Sequence, residues 1–248
     1  MIELTDDVSL HAPGAAFIRH ARTLVLADLH AGHVDTLRQR GHALPPLDDE
    51  ALHARVDTLI ADLDPSRVVI AGDLVHGSPA ASSRTRQPSA LDQLLARFGG
   101  RALTVVPGNH DRAVHDDLTR RGVTVDASAW IGPYAIRHGD EGPEALRALR
   151  REAAARGGMV IVGHLHPALT LQGAPGVRAR VPAFAWSSGW LALPALSPLA
   201  RGADLLRDDH AAEMLAVVDA TELHTAAVIG ARVLETGILS RVRGARPR

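Results

Sequence analysis

The segment VVPGNHD, residues 105–111, carries an apolar run directly into three side chains that can bind a metal or move a proton. Asn109 offers an amide oxygen, His110 an imidazole and Asp111 a carboxylate, and folding alone does not require that succession. Four other apolar runs also end in polar residues, which include Asp28, His30, Asp73, His138, His164 and His166. Carboxylate, imidazole and amide groups without sulfur suit Mn, Fe or Zn, so these residues favour a site for divalent metal.

The polar residues follow five short runs of aliphatic and β-branched residues, which predict strands buried on both faces. The runs are TLVLADLH, RVVIAGDLVHG, LTVVPGNHD, YAIRHGD and MVIVGHLHP. Between them, Leu, Val and Ala at helical spacing predict helices over residues 47–63, 88–98 and 142–157. This alternation indicates an α/β fold with a largely parallel sheet, and ligands of such sheets bind at the carboxyl ends of the strands.

Each polar strand end is weak evidence when it is taken alone. Gly-Asp and Asp-X-His sequences occur in ordinary turns, and a single Gly-His pair more often has a structural role. The set carries the argument, because five successive strand ends on one sheet edge would each have to acquire a metal ligand independently. The sequence therefore predicts one shared site.

Composition indicates one large globular domain and excludes several kinds of site. Hydrophobic residues make up 46% of the 248 residues, which is enough for one substantial core. The 27 basic residues balance 28 acidic ones, so the overall charge gives no general preference for nucleic acid or anionic membranes. The sequence contains no cysteine, which excludes disulfides, thiolate metal sites and cysteine nucleophiles.

The ends of the sequence predict further features of its organisation. The N-terminal segment is acidic and polar, unlike a secretory signal, and no apolar stretch is long enough to cross a bilayer, so we expect a cytoplasmic protein. VSLHAPGAAFIR predicts a hairpin that turns at Pro13 and Gly14, and short alternating runs after residue 181 predict antiparallel strands without a long helix. Residues 77–90 predict a polar loop. We expect a single domain over residues 1–240 and a basic tail over 241–248.

The ordered motifs DLH, GDLVH, GNHD, HGD and GHLH resemble the five signature blocks of the calcineurin-like metallophosphoesterases and cover residues 28 to 166 in the expected order. The resemblance implies a four-layer α/β/β/α sandwich of two mixed β-sheets flanked by helices. Within this superfamily, ADLHAGHVDTLRQRGHALP and LPALSPLARGADL are similar to segments of the prokaryotic ligase-associated DNA-repair endonucleases. The motif HGD departs from the His-Gly-His of many members, because Asp140 occupies its last position.

The resemblance implies two divalent metals, with Mn preferred and Fe or Zn as alternatives. The matching positions give a first ligand set, a second set and one bridging residue, namely Asp28, His30 and His166, then Asn109, His138 and His164, and finally Asp73. Two such metals can activate water and clamp the oxygens of a phosphoryl group. The resemblance further implies that His110 protonates or stabilises the departing oxygen and that Asp111 orients His110. Gly108 would let the backbone approach the site closely.

The function that this resemblance implies is hydrolysis of phosphodiester or phosphomonoester bonds, with DNA or RNA as substrate and a nuclease or end-processing role in DNA repair. A ligase or a helicase would then be a partner. Hydrolysis of nucleotides or other small phosphorylated molecules stays open, because an isoelectric point near 6.9 lacks the basic signature of nucleic-acid binders. A non-catalytic scaffold on the same fold is a further alternative, against which the intact ligand set argues.

Some residues near the motifs have two interpretations. Arg112 can bind a substrate phosphate or simply be solvated. His33 and His76 lie close to the ligand motifs, and we expect them to support the site or lie on the surface rather than to bind metal. The oligomeric state stays open, with a dimer among the options.

Overall fold

The computed structural model describes residues 1–43, 49–76, 89–172 and 177–244, and it contains two β-sheets. The described strands of the first sheet are, in spatial order, β1 (Ile2–Glu3), β2 (Val8–His11), β3 (Ala15–Ile18), β4 (Thr23–Leu26), β5 (Arg67–Ala71), β6 (Ala102–Val106) and β7 (Thr124–Val125). Strands β1 to β4 pair antiparallel, whereas β4 to β7 pair parallel. This sheet is therefore mixed.

The second sheet is also mixed, and its described strands are β8 (Ala129–Ile131), β9 (Tyr134–Arg137), β10 (Val160–Val162), β11 (Pro167–Gln172), β12 (Arg178–Ser187), β13 (Trp190–Ala192), β14 (Ala203–Asp204), β15 (His224–Ile229) and β16 (Arg232–Ile238). Strand β10 lies between β9 and β13 and is parallel to both. The long strand β12 pairs antiparallel with β11, β13 and β15. The predicted antiparallel strands after residue 181 are thus present, although the short β14 pairs parallel with β11.

Helices cover the outer faces of the sheets, and the described ones are α1 (His33–Gln39), α2 (Glu50–Leu63), α3 (Ala90–Arg97), α4 (His115–Arg120), α5 (Pro143–Ala155), α6 (Asp208–Leu215) and α7 (Leu239–Gly244). The predicted helices over 47–63, 88–98 and 142–157 correspond to α2, α3 and α5, with residues 47, 48 and 88 outside the described ranges. Pro143 opens α5 at a position where its missing N–H removes no helical hydrogen bond. None of the described helices has the length and apolarity to cross a membrane.

Three clusters of buried apolar side chains fix the order of the layers. The cluster between the sheets joins Val25 and Val69 of the first sheet to Ile161 and Phe184 of the second. Successive side chains of a strand point to opposite faces, so Leu24 packs on the outer face, in the cluster that also contains residues of α2 and α3. A third cluster packs α5, α6 and α7 against the second sheet. The expected four-layer α/β/β/α sandwich is confirmed.

The predicted N-terminal hairpin is confirmed, since β2 pairs antiparallel with β3 and the N–H of Gly14 donates to the carbonyl of His11 at 2.9 Å. Helix α6 was not predicted, because its eight residues repeat the apolar pattern only at Ala211 and Met214. Helix α7 extends past the predicted boundary at residue 240, and Arg243 within it donates to the carbonyl of Leu205. Residues 245–248 of the predicted tail and residues 77–88 of the predicted polar loop lie outside the described ranges.

The prediction of one shared sheet edge is wrong in one respect. Strands β4, β5 and β6 belong to the first sheet, whereas β9 and β10 belong to the second. All five runs are apolar on both faces, so their pattern does not show which sheet each strand joins. The polar residues still converge, because the carboxyl ends of these strands from both sheets meet at one end of the sandwich.

The start of α3 provides a test of the fold. The Ser89 hydroxyl accepts a hydrogen bond from the N–H of Asp92 at 3.1 Å, and the Asp92 carboxylate accepts one from the N–H of Ser89 at 2.9 Å. We expect Ser89→Ala to lower the free energy of unfolding by about 1 kcal/mol in urea denaturation. Ser188→Ala, which changes an exposed serine, should have little effect.

The same cap predicts a pH dependence. Hydrogen bonds from Ser89, with the Arg121 guanidinium, lower the pKa of Asp92 to about 2. Its contribution to stability is therefore present above the pKa of the unfolded chain, near 3.8, and is lost as the pH falls through 2. The difference between wild type and Ser89→Ala should shrink as the pH is lowered from 5 to 2, and a constant difference would contradict this role.

Candidate metal centre

Seven predicted ligands lie just beyond the carboxyl ends of five strands. Those after β4, β5 and β6 come from the first sheet and those after β9 and β10 from the second, in the order Asp28, His30, Asp73, Asn109, His138, His164 and His166. The sheets touch at this end, where Nδ1 of His138 lies 3.3 Å from the carbonyl oxygen of Ala71. The fold thus brings together residues as far apart in sequence as 28 and 166.

Six of these residues form two groups with metal-ligand spacing. In each group the potential ligand atoms lie within 4.8 Å of one another, and the groups are Asp28, His30, Asp73 and His166, and Asp73, His138 and His164. Asp73 belongs to both. Its Oδ2 lies 3.8 Å from Nε2 of His30 and its Oδ1 lies 3.7 Å from Nε2 of His138. One carboxylate therefore faces both groups at once.

Asn109 lies beside the second group. Its Oδ1 is 3.2 Å from Nε2 of His138, and Nδ1 of His164 is 3.1 Å from that same nitrogen. Asn109 is exposed whereas His138 is buried, so the second group opens toward solvent through the amide. The amide oxygen is in a position to join His138 and His164 as a ligand.

The backbone of the site is strained at the predicted ligands. Among the described residues, positive φ outside glycine occurs at Arg22, Asp64 and five predicted ligands, namely Asp28 (54°), His30 (48°), Asp73 (48°), His164 (59°) and His166 (39°). The left-handed region is unfavourable for residues with a Cβ atom and persists where the surrounding structure imposes it. Strain of this kind is concentrated at functional sites.

Three glycines allow the strand ends to approach closely, and each directly precedes a predicted ligand. A Cβ atom on Gly72 would lie 1.9 Å from Nδ1 of His138, and one on Gly108 would lie 2.2 Å from Oδ1 of Asp73. A Cβ atom on Gly163 would lie 2.8 Å from Oδ2 of Asp28. The predicted close approach at Gly108 is present, and each glycine makes room for a ligand that belongs to another strand.

The donor set suits divalent cations. Oδ1 of Asp28 and Nε2 of His166 are buried without a hydrogen-bond partner, and they lie 3.2 Å apart. Burial, with the neighbouring imidazoles of His166 and His76, lowers the pKa of His30 to about 2, so this histidine is neutral and its nitrogen is available as a ligand. Burial also acts to lower the pKa of His166, but the Asp28 carboxylate outweighs it and raises the value. A bound cation would replace that pairing and satisfy both orphaned atoms.

Asp111 does not have the contacts that were predicted for it. Its carboxylate accepts hydrogen bonds from the N–H of Gly108 at 2.9 Å and from the N–H of Val75 at 3.2 Å, so it holds the backbone rather than the His110 ring. Burial raises the pKa of Asp111, although these hydrogen bonds oppose the shift. The prediction that Asp111 orients His110 is wrong, and Asp111 instead links the turn before His110 to the segment after Asp73.

His110 lies at the end of a stack of imidazoles. The rings of His33 and His76 are stacked at 3.8 Å, and those of His76 and His110 at 4.7 Å. His76 also approaches the metal ligands, since its Nδ1 lies 3.3 Å from Nδ1 of His30. Burial and the neighbouring charges of His33 and His110 lower the pKa of His76 to about 4. The sequence predicted a supporting or surface position for His33 and His76, but gave no sign of this stack.

Arg112 lies in a 3₁₀ turn, Asp111–Ala113, directly after His110. It is exposed and forms no ion pair with another residue in the described ranges. Its predicted contact with a substrate phosphate stays a prediction.

Residues 21–127 match the calcineurin-like phosphoesterase family. The structure also resembles the crystal structure of Pseudomonas putida nuclease MPE, with a TM-score of 0.61 and 23% identity, over 92% of this chain and 94% of that one. The family match and the structural likeness both support the metallophosphoesterase superfamily. The family match likewise supports a metal-dependent hydrolase. No curated protein matches the chain.

A cavity of about 410 Å³ adjoins the candidate metal site. Its lining residues come from the GHLH motif, from the region of β14 and from α6, and they are His164, Leu165, His166, Gly202, Ala203, Glu213 and Met214. Sequence reasoning missed this cavity because α6 was not predicted. The cavity offers space beside the ligands for part of a substrate.

Substitution of Gly72 tests whether close approach builds the metallophosphoesterase site. Gly72→Ala would combine a strained φ of 83° with a clash against His138. Gly100→Ala is a matched control, since Gly100 has a φ of 79° and nothing within 4 Å of the added carbon. We expect Gly100→Ala to lower stability by about 1 kcal/mol and to keep metal, whereas Gly72→Ala should lose bound metal measured by elemental analysis. Equal metal content in both variants would contradict the argument.

Substitution of Asp111 tests its role as a backbone anchor. Asp111→Ala leaves the N–H groups of Gly108 and Val75 without their acceptor, at a cost of about 1–3 kcal/mol for each buried donor. Chemical denaturation should therefore show a large loss of stability. Asp116→Ala, which changes an exposed carboxylate in α4, is the control and should leave the midpoint nearly unchanged. A similar midpoint for both variants would show that Asp111 does not anchor this turn.

Proposed function

We propose that this metallophosphoesterase binds two divalent metals and hydrolyses phosphodiester bonds of nucleic acid. The observation that carries the proposal is the position of Asp73, whose two oxygens face two different groups of ligands. Asp28, His30 and His166 would hold the first metal with Asp73, and Asn109, His138 and His164 would hold the second. Mn is the preferred metal, with Fe and Zn as alternatives for this set of oxygen and nitrogen donors.

Two metals held in this way would activate water and neutralise the charge of the phosphoryl group. The chain's own residues then have distinct tasks. The anionic bridge of Asp73 offsets the repulsion between two cations, and neutral imidazoles fill most of the other positions. His110 lies beside the first group, with its ring 5.4 Å from that of His30, and it is half-buried. There it can donate a proton to the departing oxygen.

His76 supports this role for His110. The stacked ring of His76 limits the orientations that His110 can adopt, and it connects His110 to the ligand His30. His76 takes the positioning role that the sequence had suggested for Asp111. Its lowered pKa keeps the ring uncharged at neutral pH, so the stack does not repel the metals.

Nucleic acid is the substrate class that we favour. The structurally similar protein from Pseudomonas putida is described as a nuclease, and two segments of this sequence resemble ligase-associated DNA-repair endonucleases. We therefore place the enzyme in cytoplasmic DNA repair, as a nuclease or end-processing enzyme that works with a ligase or a helicase. Small phosphorylated molecules are the second candidate, favoured by an isoelectric point near 6.9.

Hydrolysis of bis(p-nitrophenyl) phosphate and p-nitrophenyl phosphate with Mn, Zn, Fe and Mg tests the reaction. We expect the wild-type protein to cleave the diester and to lose this activity when a chelator removes the metal. Asp73→Asn should abolish turnover and bound metal together, whereas Asp116→Asn should change neither. Two bound metals without hydrolysis of any phosphodiester, including DNA, would contradict the proposal and favour the scaffold alternative.

Replacement of His110 tests its role as an acid. His110→Ala should retain both metals but cleave DNA about 10²–10⁴-fold more slowly, because the departing alkoxide needs a proton. The effect on bis(p-nitrophenyl) phosphate should be smaller, since its leaving group departs readily without protonation. His115→Ala, which changes an exposed histidine in α4, provides the control. Wild-type DNA cleavage by His110→Ala would rule out this role.

A further inference from the structure

Several arginines lie close to the metal centre with exposed side chains. In the described ranges, Arg112, Arg178, Arg180 and Arg201 are exposed and form no ion pair. Elsewhere many arginines are neutralised, as in the pairs of Arg121 with Asp92 and of Arg156 with Glu152. The nearly neutral overall charge therefore conceals local positive charge next to the site.

Arg180 is tied to the strand segment next to His166. Its guanidinium donates to the carbonyl of Gly202 at 3.4 Å. Gly202 packs against the ligand segment, because a Cβ atom there would lie 2.6 Å from the carbonyl oxygen of His166, and the next residue, Ala203, donates to that oxygen at 2.7 Å. The guanidinium of Arg180 thus reaches the segment that packs against the backbone of His166.

Two more arginines extend this flank. Arg201 directly precedes Gly202. Arg178 lies two positions before Arg180 in β12, so it shares the face of Arg180, and its pairing with Gln172 places it farther from His166 along β11. We call Arg178, Arg180 and Arg201 the β12 flank. Gly202 also lines the cavity beside His166. This cavity leaves space next to the β12 flank for a part of the substrate other than its phosphates.

Positive charge also lies near the histidine stack. Arg112 follows His110 by two residues in the 3₁₀ turn. Arg40 is exposed and lies at the C-terminal end of α1, the helix that begins at His33 of the stack. His30 connects the two regions, since its ring lies 5.4 Å from both His110 and His166. Arginines therefore lie on the side of the metal centre where His110 is located and also on the side where His166 is located.

We propose that an extended phosphodiester chain crosses the metal centre, with the β12 flank binding phosphates on one side of the scissile bond and Arg40 and Arg112 binding them on the other. This inference rests on the proposed function and specifies its substrate as a polynucleotide rather than a small diester. Arginine binds phosphate through two parallel hydrogen bonds, which suits it to hold a backbone without reading its sequence. The dinucleotide TpT and the nitrophenyl ester each contain only the phosphate that is cleaved, so neither offers a flanking phosphate to these arginines.

The test compares substrates of increasing length with the Mn-loaded protein. They are bis(p-nitrophenyl) phosphate, the dinucleotide TpT and a single-stranded oligothymidylate of twelve nucleotides. We expect kcat/KM per cleavable bond to be at least about tenfold higher for the oligonucleotide than for the dinucleotide, and to fall with rising NaCl concentration. In Arg180→Gln/Arg201→Gln, the slope of log kcat/KM against log salt should become shallower by about 0.7 for each lost phosphate contact.

Arg67→Gln/Arg151→Gln is the matched control. Arg67 is exposed and lies at the amino end of β5, opposite the carboxyl end that leads to Asp73, and Arg151 is exposed on α5. Neither forms an ion pair within the described ranges. We expect the control to keep the wild-type length dependence and salt slope. Turnover of bis(p-nitrophenyl) phosphate by the control should also stay within about twofold of wild type, because neither of its arginines lies near the metal centre.

The outcomes separate this inference from the proposed function. A wild-type protein that cleaves bis(p-nitrophenyl) phosphate, but cleaves TpT as well as the oligonucleotide, would overturn the polynucleotide path and favour a small diester. Arg180→Gln/Arg201→Gln with an unchanged salt slope, or with an equal loss on the nitrophenyl ester, would also overturn it. Absence of hydrolysis of every diester by the wild-type protein would instead overturn the proposed function itself.

Discussion

The two sheets approach each other closely at the carboxyl ends of the strands that lead into the site, and this approach determines the positions of all the predicted ligands. Asp73 can face two ligand groups only because His138, from the second sheet, packs against Gly72 of the first. Gly108 in turn packs against Asp73, and Gly163 packs against Asp28. Glycines therefore lie at the points where the ligand segments touch. A methyl group at any of these positions would push apart strands that the core between the sheets holds together. The packing of the apolar layers thus determines the spacing of the polar ligands.

The charge distribution of the ligands follows from the same packing. Asp28 and Asp73 are almost completely buried, and burying a carboxylate is costly unless a cation or several hydrogen bonds compensate it. The N–H of His164 donates to Oδ2 of Asp28 at 2.9 Å, while Oδ1 has no hydrogen-bond partner. His30 and His76 do not supply this charge easily, because burial and mutual repulsion lower their pKa values, and among the neighbouring imidazoles His166 has its pKa raised by Asp28. The fold therefore assembles a centre whose negative charge is best offset by metal.

The sequence was sufficient to predict the five strands that lead into the site, because apolar runs that end in polar residues depend on local pattern, whereas the four layers followed from the family resemblance. It could not assign strands to sheets, since β5 and β10 are both apolar on two faces. The sequence also suggested the wrong contact for Asp111. Its position next to His110 suggested a hydrogen bond between the two side chains, whereas one of the N–H groups that Asp111 binds belongs to Val75, 36 residues away. The stack of His33, His76 and His110 likewise depends on three segments that meet only in the folded chain.

Because the predicted ligands come from both sheets, the stage of synthesis at which the site can form depends on when each sheet is completed. Asp28, Asp73 and Asn109 are synthesised first, but His164 and His166 follow β10, and β13, which pairs with β10, is synthesised later still. A ribosome-bound chain that ends after α4 would carry the GNHD motif without the imidazoles of the second sheet. The candidate metal centre can therefore form only late in synthesis, after the second sheet has packed against the first.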